Sequence, residues 1–221
     1  MSDHHNSNNG TRGLHGTLDD LFCIEASLMG LKWEFKRVGS STFQDKDADG
    51  NVISEEEGDS SRKPASMRTD KHQYPTLVIE AGWTQTLQKL RQKAEWRFAK
   101  SRGDVKIVLL IKWSPRSNHI RIEKWKLAPA FSRRGAITTR AAAATMTPQC
   151  IHVVEIARAN GIDDAHPNRF DPASDVVTGG PLQLEFIDIF LRQPIPPGER
   201  DLILDNTTLQ RYAAKFWKLM H

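Results

Sequence analysis

Cysteine is nearly absent from this chain of 221 residues: it occurs only as Cys23 and Cys150. Two thiols so far apart supply neither a disulfide framework nor the paired spacing of a metal site, which favours a reducing compartment over secretion. Long apolar runs are missing as well. The longest strongly apolar stretch, residues 107–111, falls far short of the roughly 20 residues that span a bilayer. No signal peptide opens the sequence. The expectation is an intracellular protein of the cytoplasm or nucleus that does not enter a membrane. The chain also has no P-loop, no Gly-rich dinucleotide turn, no GxSxG and no His-pair metal spacing, so nothing points to a cofactor enzyme. Hydrophobic residues make up 38%, low for a compact globule, and the deficit lies in polar segments, not in the strand-like runs. The length suits one domain with a sizeable core.

Net charge is +4, but it is unevenly spread. Residues 45–59 hold seven acids and one Lys, a balance of −6, so the rest of the chain carries +10. Together with an isoelectric point near 9.1, that basic remainder is compatible with a polyanionic partner.

Residues 75–113 are the organising stretch. They read as a buried strand (PTLVIEAGW), a basic helix and a second buried strand (VKIVLLIKW), because short Val- and Ile-rich runs bounded by Pro and Gly fit a sheet covered on both faces. Leu87, Leu90, Ala94 and Phe98 share one helical stripe between them. The unit is therefore a right-handed βαβ crossover. Glu80 interrupts the apolar run at the end of the first strand. A carboxylate there needs a partner. It is either paired with a nearby Lys or Arg, or it is a metal ligand or general base at the carboxyl end of a strand, where open α/β sheets bind ligands. On the helix, Lys89, Lys93, Trp96 and Lys100, followed by Arg102, form either a solvated basic face or a phosphate-neutralising surface with an aromatic for stacking.

Asp45, Asp47, Asp49, Gly50 and Glu56 match the EF-hand loop pattern. The flanks are rich in Gly and Ser, no helix of useful length fits on either side, and no second loop occurs. An acidic, solvated hairpin tip is expected over about 45–61, not Ca²⁺. Residues 1–16, rich in Asn, His and Gly, are expected to be a disordered tail. Thr17 and Asp20 resemble a capping box opening a helix with Leu18, Leu21, Phe22, Leu28 and Met29 on one face and Glu25 in its middle. Residues 31–38 suggest strand and 62–74 a connection. Residues 119–126 and 150–156 are further strands, separated by a long connection over 129–148. Residues 182–191 and 201–204 also suggest strand, and a last helix from Asn206 is expected to bury Leu209, Tyr212, Ala213, Phe216 and Leu219.

Pro75, Val78-Ile79-Glu80-Ala81-Gly82, Trp96 and Ser101-Arg102-Gly103-Asp104-Val105-Lys106, with Lys124-Trp125, Thr178-Gly179-Gly180-Pro181-Leu182, Phe190-Leu191-Arg192 and Trp217, carry a likeness. Over roughly two thirds of its length, the chain resembles a group of fungal proteins that are similar to nucleases of the restriction-endonuclease-like PD-(D/E)xK superfamily. The resemblance implies an α/β fold with a central mixed sheet flanked by helices, here over residues 17–221 with the acidic loop as an insertion. It also implies Mg²⁺-dependent phosphodiester hydrolysis of nucleic acid. Glu80 would be the catalytic metal ligand, and Glu25 a second ligand, since the first helix of such folds often contributes a carboxylate. The chain departs from the pattern in two places. In Arg62-Lys63-Pro64-Ala65, Ala65 stands where the metal-binding Asp is expected, and Gly82 stands where the Lys of (D/E)xK is expected. Asp59 or Asp70 could substitute for that Asp, though neither stands at the matching position, and Lys93 is the preferred replacement for that Lys. The departures leave two classes open: a metal-dependent nuclease, or a catalytically inactive module that binds nucleic acid or protein.

Overall fold

The computed structural model describes residues 3–38, 44–46, 52–55, 59–130, 145–163 and 165–220. In chain order the elements are α1 (Asp3–Leu28), β1 (Phe35–Arg37), β2 (Gln44–Lys46), β3 (Val52–Glu55), β4 (Ser60–Pro64), β5 (Leu77–Gly82), α2 (Leu87–Lys100), β6 (Ile107–Ser114), β7 (His119–Pro129), β8 (Met146–Arg158), β9 (Asp175–Thr178), β10 (Leu182–Leu184), α3 (Phe186–Phe190), β11 (Leu202–Leu204) and α4 (Asn206–Met220). Seven strands form one mixed sheet in the order β1-β4-β5-β6-β7-β8-β9. Among the described strands only β5 and β6 pair in parallel, joined through α2, which is the βαβ unit expected from the sequence. The protein is an α/β domain with helices on both faces of a mixed sheet. No helix among the described residues is long and apolar enough to cross a membrane.

Strand alternation divides the side chains of β5 between two cores. Leu77, Ile79 and Ala81 join Leu14, Leu18 and Phe22 of α1 and Leu209, Tyr212, Phe216 and Trp217 of α4 in the larger one. Val78 meets Leu90, Ala94 and Phe98 of α2 in a smaller one with Val108, Leu110 and Trp125. Trp113 links β6 to α4, its ring 5.1 Å from that of Phe216 in an edge-on contact.

Several expectations are corrected. The tail expected to be disordered through residue 16 is helical from Asp3. Leu14, Leu18, Phe22 and Ala26 are buried at steps of four, which carries the apolar stripe a turn beyond the supposed cap at Thr17. A fully buried strand, β4, reading Ser-Ser-Arg-Lys-Pro, spans the end of the expected acidic tip and the first three residues of the connection expected over 62–74. Its polar groups are satisfied side by side: Ser60 Oγ lies 2.8 Å from His15 Nδ1, Arg62 is held by Asp19, and Lys63 Nζ donates to Asp70 O at 2.5 Å. Residues 182–191 break into β10 and the short α3, because Asp201 accepts the Phe186 N–H at 2.7 Å and starts a helical turn. Leu219 is 58% exposed, and Trp217 is buried on α4 instead. β2 and β3 pair antiparallel as a hairpin, while Asp47, Asp49 and Glu56 of the calcium-like pattern lie outside the described residues.

Candidate functional site

Glu80 ends the apolar run of β5 on the face covered by α2. Thr86 caps that helix, its hydroxyl accepting the Lys89 N–H at 3.3 Å. Leu90, Ala94, Arg97 and Phe98 are the buried positions of α2. Arg97 therefore occupies the inward stripe and delivers its guanidinium to the strand end. Nε and Nη2 both donate to Glu80 Oε1, at 2.9 and 2.7 Å. The other carboxylate oxygen, Oε2, is buried and accepts no hydrogen bond among the described residues. Lys93 Nζ stands 3.5 Å from it. Burial pushes the Glu80 carboxyl upward from its usual range, opposed by the charges of Arg97 and Lys93 and reinforced by Asp59.

The register explains that last neighbour. β4 is antiparallel to β5, with Ser60 opposite Ile79 and Arg62 opposite Leu77. Asp59 is therefore the residue beside Glu80, and its Oδ2 accepts the Ala81 N–H at 2.6 Å. Residue 65, by contrast, runs off the far end of the strand pair, where its N–H bonds Glu34 O. The acid set beside Glu80 across the strand pair is Asp59, while Ala65 is remote from it. The Gly that stands at the expected Lys also has a steric cause. A Cβ on Gly82 would lie 2.8 Å from Leu90 Cδ1, so the close approach of α2 fills the space a side chain would use.

A second buried carboxylate lies in the same row. Glu80 is paired with Leu110, and Leu110 with Glu123 on β7. Glu123 accepts from Arg91 of α2 at 3.0 and 2.6 Å, from Arg121 Nε at 2.9 Å and from Trp125 Nε1 at 3.0 Å. Burial opposes its ionisation, but these donors outweigh burial and hold the carboxyl below its usual range. α2 thus straddles Leu110 with one arginine on each carboxylate.

On the outer side of α2, Gln85, Lys89, Gln92, Lys93 and Trp96 line an open groove of about 400 Å³. The structure brings three of the expected binding residues, Lys89, Lys93 and Trp96, to one place and sets Lys93 between that groove and Glu80. Lys100 and Arg102 lie at the C-terminal end of the helix and do not line the groove; Arg102 takes a left-handed conformation, φ 51°, in the turn that leaves α2. Glu25 is not brought to Glu80. It sits on α1, across the sheet, and pairs with Arg200 at 3.1 Å. Among the described residues, no group of three or more His, Cys, Asp or Glu side chains converges as a metal site would.

Glu80 is conspicuous in the sequence, whereas its main partner is not. Arg97 lies three residues after Ala94 and next to Phe98, within the apolar stripe, and a base in that place is the signal that would have found it. Glu123 was hidden in an alternating strand pattern that reads as solvent-facing. No protein-family model matches this chain, and no curated protein matches it.

Proposed function

We propose that this protein binds nucleic acid through the groove on α2, presented by a nuclease-like α/β domain that does not cut. The observation that carries the reading is the position of Lys93, which lines the groove while lying 3.5 Å from Glu80. The two lysines supply phosphate neutralisation and Trp96 a face for a base, the combination that single strands use. The guanidinium of Arg97 supports the non-cutting form, because it places a fixed positive charge on the Glu80 carboxylate.

One observation favours the second reading, metal-dependent hydrolysis. Asp59, Glu80 and Lys93 gather at one strand end, an acid–acid–base set of the kind the resemblance implies. Glu80 Oε2 and Asp59 would hold Mg²⁺, which supplies an activated water and neutralises charge at the phosphate. The buried oxygen without a hydrogen bond fits that role; the arginine already on Oε1 does not.

The test uses labelled single- and double-stranded DNA and RNA with the wild type, Lys89→Ala/Lys93→Ala and Glu80→Gln. Binding in EDTA by the wild type, weakened about tenfold or more in the lysine variant, with no cleavage in Mg²⁺ or Mn²⁺, is the expected outcome. Metal-dependent cleavage lost in Glu80→Gln would establish the second reading. Absence of binding to every polymer would remove the first.

A further inference from the structure

A second basic and aromatic surface lies on the α1 side of the sheet, at its β1 edge. Lys32, Trp33, Lys36, Arg37 and Arg62 are among the residues lining a cavity of about 370 Å³ there. Its charges are arranged against ordinary sheet practice. Arg37 stands opposite Arg62, and Lys36 opposite Lys63, across the antiparallel β1–β4 pair. Like charges directly opposite destabilise a sheet unless something answers them. Two of the four are answered. Arg62 donates from Nε and Nη2 to the two oxygens of Asp19, each at 2.7 Å, and Lys63 is buried against Asp70 O. Burial, with Lys36 and Arg68 close by, pushes the Lys63 ammonium below its usual range. Lys36 and Arg37 are exposed, and no acid pairs with either among the described residues. Beside them Trp33 is 84% exposed. A large indole left out of both cores is available for stacking, and Lys32 Nζ lies 5.5 Å from its ring centre.

We propose that this edge groove takes an unpaired nucleobase of a single strand, stacked on Trp33, with the adjoining phosphates on Lys32, Lys36 and Arg37. The inference rests on the nucleic-acid reading above and deepens it: the polymer is single-stranded and meets the protein at two places, α2 and the β1 edge. Charge complementarity selects the occupant. Cations with no acidic partner among the described residues call for an anion, and an exposed indole beside them calls for a flat aromatic group, which a nucleotide supplies together with its phosphate.

The experiment is fluorescence anisotropy on the full chain with labelled single strands and duplexes, comparing the wild type, Trp33→Ala, Lys36→Glu/Arg37→Glu and Lys89→Ala/Lys93→Ala. All these residues lie outside the cores, and thermal melts confirm that each variant is folded. The expected result is a single-strand affinity lowered about 5- to 100-fold by Trp33→Ala. In Lys36→Glu/Arg37→Glu the slope of log affinity against log salt should fall by about 1.4, for two phosphates released. If the two β1-edge variants bind as the wild type while the α2 variant weakens, the edge site is wrong and the nucleic-acid reading stands. If duplex binds better than single strand and Trp33→Ala is neutral, the single-strand assignment fails. If the wild type binds no nucleic acid, both fall together.

Discussion

The two faces of the sheet are held by different physics. On one, α1 and α4 bury a continuous apolar layer that includes Leu14, Leu18, Phe22, Tyr212, Phe216 and Trp217. On the other, α2 packs in a cluster of eight buried residues, and two of its arginines are tied to buried carboxylates, Arg97 to Glu80 and Arg91 to Glu123. Apolar burial is non-directional and tolerates sliding. A buried charge pair tolerates little, since removing one partner strands the other in a poor solvent. The larger face therefore supplies stability, and the smaller one supplies a fixed azimuth for α2. That azimuth keeps Lys89 outward, Lys93 and Trp96 half-buried at the rim and Arg97 inward.

The comparison breaks most sharply at Arg97. Arg97→Ala should cost about 3–5 kcal/mol by leaving Glu80 buried without its hydrogen-bond donor, with only the half-buried Lys93 3.5 Å away, read from urea denaturation. Phe22→Ala on the opposite face should cost a similar 3–5 kcal/mol by leaving a cavity, and pH separates the two. Without Arg97 the Glu80 carboxyl moves further up than burial already places it. A group whose folded pKa is raised keeps its stability at low pH and loses it as pH rises through that pKa. The Arg97→Ala deficit should therefore shrink towards acid pH, while the Phe22→Ala deficit stays level.

A smaller effect concerns Asp175, a buried carboxylate at the start of β9 whose oxygens accept from Trp217 Nε1 at 3.1 Å. Burial raises its pKa to about 6, against the opposing hydrogen bond from Trp217 and the charge of Arg158. The unfolded value is lower, so this group's contribution is complete below about pH 4 and is lost as pH climbs through 6. Asp175→Asn should remove that slope and become the more stable form at neutral pH by about 1–3 kcal/mol, measured as melting temperature against pH. Glu123 carries the opposite sign, since its carboxyl is held low. Its contribution is present at neutral pH and declines on acidification, so Glu123→Gln should flatten the acid limb of the stability curve.

Smaller again is Gly82→Ala. The added methyl meets Leu90 Cδ1, the mobile end of a side chain, so a cost of about 1 kcal/mol in denaturant unfolding is expected. A markedly larger loss would mean that α2 cannot give way at all. At the bottom of the scale, Lys89→Ala should leave unfolding unchanged within about 0.5 kcal/mol, as exposed substitutions do.

What the sequence revealed follows the same division. The βαβ unit was legible because buried parallel strands are continuous apolar runs, and Leu87, Leu90, Ala94 and Phe98 keep helical spacing. β4 was not, because a strand reading Ser-Ser-Arg-Lys-Pro has no apolar signal; its burial depends on His15 and Asp19, more than forty residues away in sequence, and on the backbone carbonyl of Asp70. The site divides likewise. Glu80 stood out as an acid in an apolar run, and Lys89, Lys93 and Trp96 as one face of a helix. The sequence offers Asp59 and Asp70 alike as substitutes for the expected Asp; only the strand pairing, which composition does not encode, sets Asp59 beside Glu80.

A double-mutant cycle on Glu80→Gln and Arg97→Met tests the claim that buried charge fixes α2 most directly. Unfolding free energies of the wild type, both single variants and the double variant are needed. The account predicts a coupling of about 2–3 kcal/mol, the double variant being far less damaged than the sum of the two singles. Additivity within about 0.5 kcal/mol would mean that the pair is incidental and that α2 is held by its apolar contacts alone.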